Sequence, residues 1–225
     1  MIATMGPMPE LLRRRLVVPV AAALLGALAG SGCNSSNNAP PPEPDPETAE
    51  LATMNAATQQ VLRAQKLVNQ GDELARGGRP LEAISRYREA IGVYQDFPAA
   101  WNNLGVVLMK QGRNLEAAEA FRVAGDLSPT DPKPMCNLGD LWFNQGYLDD
   151  AARFYGAALE RDANYQPALR QAVRVDHLRQ RSDEATAERI RKALLQESDP
   201  VWHQYLERRK LVVEQHLRDK GGKTP

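Results

Sequence analysis

Residues 98–131 read PAAWNNLGVVLMKQGRNLEAAEAFRVAGDLSPTD. The same pattern recurs on either side with a period of 34 residues. Gly71, Gly105 and Gly139 stand 34 apart, as do Ala83, Ala117 and Ala151, and as do the rings Tyr87, Phe121 and Tyr155. Three independent columns with one spacing define three units, 64–97, 98–131 and 132–165. A fixed period of roughly 20 to 50 residues marks a stacked array in which each unit covers the apolar face of the next.

Each unit reads as helix, turn, helix. Trp101, Leu104 and Leu108 follow a helical period, and so do Ala117, Phe121 and Ala124. Gly78, Gly112 and Gly146 share the column between the two helices, where glycine suits a left-handed C-cap. Pro98 and Pro132 open the second and third units, where a proline in a first helical turn is tolerated. Glycine inside a helix costs about 1 kcal/mol relative to alanine. The recurrence of Gly71, Gly105 and Gly139 therefore predicts a close helix approach. Ala83, Ala117 and Ala151 are expected opposite these glycines, with the rings filling the space between adjacent pairs. Leu74, Leu108 and Trp142 form a further column.

These residues resemble the tetratricopeptide repeat (TPR), whose pattern is W-x2-L-G-x2-Y, then A-x3-F, then P. Unit 98–131 carries Trp101, Leu104, Gly105, Ala117, Phe121, Ala124 and Pro129. Unit 132–165 carries Leu138, Gly139, Ala151, Tyr155 and Ala158, with Met135 in the Trp column. Unit 64–97 carries Leu67, Gly71, Ala83, Tyr87 and Ala90, with Gln70 replacing the usual Leu. The resemblance implies an all-α fold, a TPR α-solenoid of three clear helix-turn-helix repeats with degenerate C-terminal capping helices.

The flanks depart from the period. Residues 47–63 read as an N-terminal helix with Leu51, Met54, Val61 and Leu62 as apolar points. They either extend the first repeat helix or cap it. Beyond Tyr165, Val173 stands in the glycine column, Gln180 in the turn column and Arg189 in the ring column, while Ala185 keeps the alanine column. Residues 166–218 are thus a degenerate repeat with capping helices, over 166–180, 183–197 and from Pro200 to Arg218. Atypical terminal repeats are expected of a capped stack. The last helix carries Val201, Trp202, Tyr205, Leu206, Val212, Val213 and Leu217, a face that covers the open end or binds a partner. Residues 219–225 read as a disordered tail.

The N-terminus is of another kind. Arg13, Arg14 and Arg15 precede an apolar run from Leu16 to Ala29, then Gly30, Ser31, Gly32 and Cys33. This is the layout of a signal peptide over 1–32. The run is shorter than the about 20 residues a spanning helix needs. Its end resembles a bacterial lipobox, with Gly30 where that signal usually has leucine. The resemblance implies cleavage before Cys33 and lipidation of its thiol by diacylglycerol, with a further acyl chain such as palmitate on the new N-terminus. Two or more chains anchor stably where one does not. Residues 33–46 follow as a proline-rich tether that cannot bury a core. The expected location is the cell envelope, lipid-anchored, and the outer membrane facing the periplasm if the cell is Gram-negative. The alternatives are an ordinary secreted protein or an uncleaved N-terminal anchor.

Little else carries chemistry. Lys+Arg and Asp+Glu both total 28, so nothing favours capture of nucleic acid. Two cysteines cannot build a disulfide scaffold. His177, His203 and His216 have no metal-ligand spacing, and Cys136 has no C-x-x-C partner. Asp149 and Asp150 sit at a helix start, where the dipole accounts for them. No catalytic constellation, metal or cofactor is expected.

The groove is the functional expectation. TPR first helices line a concave ligand face. Asn69, Asn103 and Asn137 form a column there, which in repeats of the O-GlcNAc transferase type holds the backbone of an extended peptide. An amide both donates and accepts, so it can pair with a peptide unit. Of the carboxylate-clamp positions of chaperone-binding TPR domains, Asn103 and Lys133 match, while Val68, Asp72 and Asn137 occupy the rest. Asp72 would repel a carboxylate. The chain therefore reads as a membrane-tethered scaffold that takes a peptide or partner helix in its groove, in envelope, pilus or secretion assembly. The alternative is an accessory subunit that docks an envelope enzyme through its C-terminal helix.

Overall fold

A computed structural model describes the backbone of residues 46–221 and the side chains of 55–220. The expected signal peptide, Cys33, nearly all of the tether, the apolar points Leu51 and Met54, and residues 222–225 of the tail lie outside these. Among the described residues the elements are all helices: α1 (Pro46–Arg76), α2 (Pro80–Val93), α3 (Pro98–Lys110), α4 (Asn114–Leu127), α5 (Lys133–Asn144), α6 (Leu148–Arg161), α7 (Gln166–Leu178), α8 (Glu184–Gln196) and α9 (Pro200–Gly221). Residues 47–63 run into the first repeat helix as part of α1, and every described residue from 55 to 63 is exposed, Val61 and Leu62 included. Burial begins at Ala64 and Val68.

Each helix packs on the next. In addition α1 meets α3, α3 meets α5 and α5 meets α7, whereas no two second helices pack comparably. First helices therefore lie closer together than second helices, which places α1, α3, α5 and α7 on the inner side of a curved stack. The buried residues form a continuous series of clusters, from Ala64 in α1 to Val213 in α9.

The turns repeat to atomic detail. Gly78, Gly112 and Gly146 have φ of 72°, 73° and 83°. In each repeat the amide of the third residue past the helix closes a six-residue loop: Arg79 N donates to Leu74 O at 2.9 Å, Arg113 N to Leu108 O at 3.0 Å and Tyr147 N to Trp142 O at 3.0 Å. This is the Schellman closure. The degenerate repeat keeps it without glycine, since Gln180 takes φ 56° and Arg181 N donates to Asp176 O at 2.8 Å.

Two expectations need correction. The atoms nearest a Cβ on the helical glycines belong to the rings and not to the alanines: a Cβ on Gly71 would fall 2.5 Å from Tyr87 and one on Gly105 2.6 Å from Phe121, with Tyr155 placed likewise against Gly139. Pro132 precedes α5 and does not begin it, and Pro134 supplies the proline of the first turn.

The degenerate repeat also slips by one residue. In α2 the buried set is Ala83, Ile84, Tyr87 and Ala90, and in α8 it is Thr186, Ala187, Ile190 and Ala193. Ile190, not Arg189, is therefore the residue that replaces the ring, and Thr186 replaces the alanine while Ala185 is exposed. Val173 in the glycine column packs in the same cluster as Ile190. A side chain gained on one helix is matched by a ring lost on the other.

The expected cap is present as α9. Leu206 and Val213 are fully buried against α7 and α8 with Leu169, Val173 and Ile190. Asp199 accepts from the amides of Val201 at 2.8 Å and Trp202 at 3.2 Å, which starts the helix.

Candidate peptide-binding groove

The inner face is built on the residue that follows each helical glycine. Asp72, Val106, Asp140 and Arg174 occupy this column. Where the ring is a tyrosine the column holds a carboxylate: Tyr87 Oη donates to Asp72 Oδ1 and Tyr155 Oη to Asp140 Oδ1, both at 2.7 Å. Where the ring is Phe121 the column holds Val106. Burial pushes the phenols of Tyr87 and Tyr155 above their ordinary value, and the neighbouring carboxylates add to it. Burial also raises the Asp140 carboxyl, against the pull of the Tyr155 hydroxyl.

The asparagine column sits beside these carboxylates, and its members are tied to one another's repeats. Asn103 Nδ2 donates to Asp72 Oδ1 at 2.9 Å, Asn102 Nδ2 to Asn103 Oδ1 at 3.3 Å and Asn137 Nδ2 to Asn102 Oδ1 at 2.7 Å. One hydrogen-bonded chain thus runs from Tyr87 through Asp72, Asn103 and Asn102 to Asn137. Asn69 is exposed and accepts from Gln65 within α1. The structure brings Asn103 and Asn137 into one network and leaves Asn69 outside it. Each networked amide still has a second N–H to offer.

The column continues one step further than the three asparagines. Gln171 lies 34 residues beyond Asn137, and its Oε1 is buried without a hydrogen-bond partner. The repeat period alone points to it, since the slip in register comes only after Gln180.

Between α1 and α3 the groove opens into a cleft of about 380 Å³ lined by Asp72, Arg76, Tyr87, Asn103, Val106 and Lys110 among others. The floor can pair with backbone amides, and Arg76 and Lys110 stand at its edge. A carboxylate entering beside Asn103 would meet Asp72. Cys136 is buried within α5, and its thiol is pushed up to about 12 by burial and by Asp140, so it stays neutral and unreactive near pH 7. Among the described residues no three His, Cys, Asp or Glu side chains are placed to hold a metal ion, and no helix is long and apolar enough to cross a membrane.

Residues 68–132 match the tetratricopeptide repeat family model. No curated protein matches the chain. Among solved structures, a thermophilic TPR protein of Thermus thermophilus superposes with TM-score 0.54 at 20% identity, over 66% of this chain and 82% of that one. A mutant O-GlcNAc transferase of Thermobaculum terrenum gives 0.53 at 21% identity, over 65% of this chain and 26% of that one. The first TPR of Spaghetti (RPAP3), bound to the HSP90 peptide SRMEEVD, gives 0.50 at 19% identity, over 53% of this chain and 94% of that one. The fold is the TPR solenoid.

Proposed function

We propose that this TPR chain is a membrane-tethered protein–protein interaction scaffold that holds an extended peptide or a partner helix in its inner groove. The observation that carries the reading is the amide column on successive first helices, with Asn103 and Asn137 pre-positioned by their bonds to Asp72 and Asn102. Amides held in place lose little freedom when a peptide backbone pairs with them, which favours binding. A similar fold that carries an HSP90 peptide supports a peptide as the ligand. Asp72 argues against a C-terminal carboxylate at this point of the groove.

Lipidation of Cys33 would fix the scaffold at the envelope, and the tether 33–46 would set its distance from the lipid. Envelope, pilus or secretion assembly are the roles such a placement suits. Cys33→Ser should release the protein from the membrane and lower its mass by the lipid. Unchanged membrane retention would remove this part of the reading.

A second reading, docking of an envelope enzyme through α9, draws on Val201, Leu211 and Val212, which remain exposed there. Pull-down with Asn103→Ala/Asn137→Ala against Trp202→Ala separates the two. Loss of partners only in the Trp202 variant would sink the groove.

A further inference from the structure

A second cleft opens between α7 and α9, about 330 Å³ in volume, lined by Arg174, His177, Leu178, Val201, Trp202 and Tyr205. It is the counterpart of the α1–α3 cleft, because Arg174, His177 and Leu178 stand in the columns of Asp72, Ala75 and Arg76. The chemistry is reversed. Where the first cleft has a carboxylate, this one has a guanidinium.

Its walls are apolar and already ordered. Trp202 and Tyr205 meet edge to face with centroids 5.5 Å apart, and Tyr205 Oη lies 3.0 Å from His177 Nδ1. Leu178 and Val201 are 52% and 77% exposed, so two aliphatic side chains face water at the rim.

The arginine that lines it lacks a counter-ion. Arg174 stacks on the Phe143 ring at 4.6 Å and makes no ion pair among the described residues. Arg209 is only 8% exposed, makes no ion pair there either, and keeps a buried Nε with no hydrogen-bond partner. It does not line the cleft, but its charge acts on two residues that do: after burial it lowers the His177 imidazole, and it opposes the effect of burial on Tyr205. By contrast Arg170, stacked on Trp202, is neutralised by Glu197. Arg174, exposed and without a counter-ion, is therefore open to a charge-assisted hydrogen bond with an incoming carboxylate.

We infer that the α7–α9 cleft binds an acidic segment of a partner protein, seating one large apolar or aromatic side chain against Trp202, Leu178 and Val201 and an adjacent carboxylate on Arg174. The inference takes from the scaffold reading only that the ligand is a protein segment, and it uses none of the asparagine column.

The test is fluorescence anisotropy on the intact chain with a labelled dodecapeptide carrying one phenylalanine among glutamates. Two controls replace the glutamates with lysine or the phenylalanine with alanine. The acidic aromatic peptide should bind, and each control should bind at least about tenfold more weakly. Leu178→Glu and Arg174→Gln, both at solvent-accessible positions, should each weaken binding about tenfold. Asn103→Ala/Asn137→Ala should leave the affinity unchanged. Equal binding of the lysine peptide, no binding of the acidic one, or full affinity in Leu178→Glu would each overturn the cleft, without touching the groove, which stands on its own pull-down. Loss of binding only in the asparagine variant would overturn the cleft and support the groove.

Discussion

The ring of Phe121 lies flush against the backbone of Gly105, so that a methyl group on the glycine would fall 2.6 Å from Cε1 and 2.7 Å from Cδ1. Phe121 is fully buried and cannot swing away. Gly105→Ala gains about 1 kcal/mol of helix propensity but, at so close an approach to a buried ring, overpacks the core by roughly 2 to 3 kcal/mol. A net loss of about 1 to 2 kcal/mol in urea unfolding is expected, with partial recovery in Gly105→Ala/Phe121→Leu. An alanine variant as stable as the parent would show that the contact is loose.

Tyr155 and Asp140 should behave as a unit. Tyr155→Phe leaves a half-buried carboxylate without its hydroxyl donor, a loss of about 1 to 3 kcal/mol. Asp140→Val/Tyr155→Phe recreates the Val106–Phe121 pairing of the second repeat and should restore most of the loss, with a coupling energy of about 1 kcal/mol or more in the double-mutant cycle. Simple additivity of the two changes would rule out the pairing.

The period made the fold readable, because glycine, alanine and ring columns share one spacing. It could not say whether alanine or ring faces the glycine, since Ala83 and Tyr87 lie four apart on the same face of α2. It misassigned α8, where the slip lies in the loop after Gln180 and Arg189 and Ile190 are neighbours in sequence. Only the burial of Ile190 fixes the register. The asparagine column was visible, but not the bond between Asn102 and Asn137, which are 35 residues apart and so off the period by one. That Arg174 has no counter-ion among the described residues was invisible, because it depends on what the neighbouring helices bring near it.

Arg189 has a different task from the ring whose column it occupies. Its Nε donates to Asp176 Oδ2 at 3.0 Å, and Thr186 Oγ1 lies 3.2 Å from the same oxygen. Asp176 is 2% exposed, and burial raises its carboxyl even against Arg189 and Arg181. Arg189→Met leaves that carboxylate short of its main partner, and a loss of about 3 kcal/mol is expected. Asp176→Leu/Arg189→Met removes both charges and should be near the parent in stability. If the double variant is worse than Arg189→Met alone, the pair is not the source of the loss.

Asp183 gives α8 a dependence on pH. Its carboxylate caps the helix, accepting from Thr186 N at 2.8 Å, Thr186 Oγ1 at 2.9 Å and Arg181 Nη2 at 2.6 Å. Burial alone would raise its pKa, but these donors outweigh it and hold the group at about 2, below the ordinary 3.8. The folded state therefore binds this proton less readily than the unfolded chain, so the cap's stabilisation is present above about pH 4 and is lost as the pH falls towards 2. The carboxylate is 43% exposed, so solvent screening reduces what the shift contributes. Asn caps about as well as Asp but does not titrate, and Ala loses about 1 kcal/mol of capping. The urea midpoint of the parent should thus exceed that of Asp183→Ala at pH 7, and the gap should narrow towards pH 2.5. The gap between Asp183→Asn and Asp183→Ala should stay constant. A parent-to-alanine gap that does not change with pH would show that the ionised carboxylate has no special part in the cap.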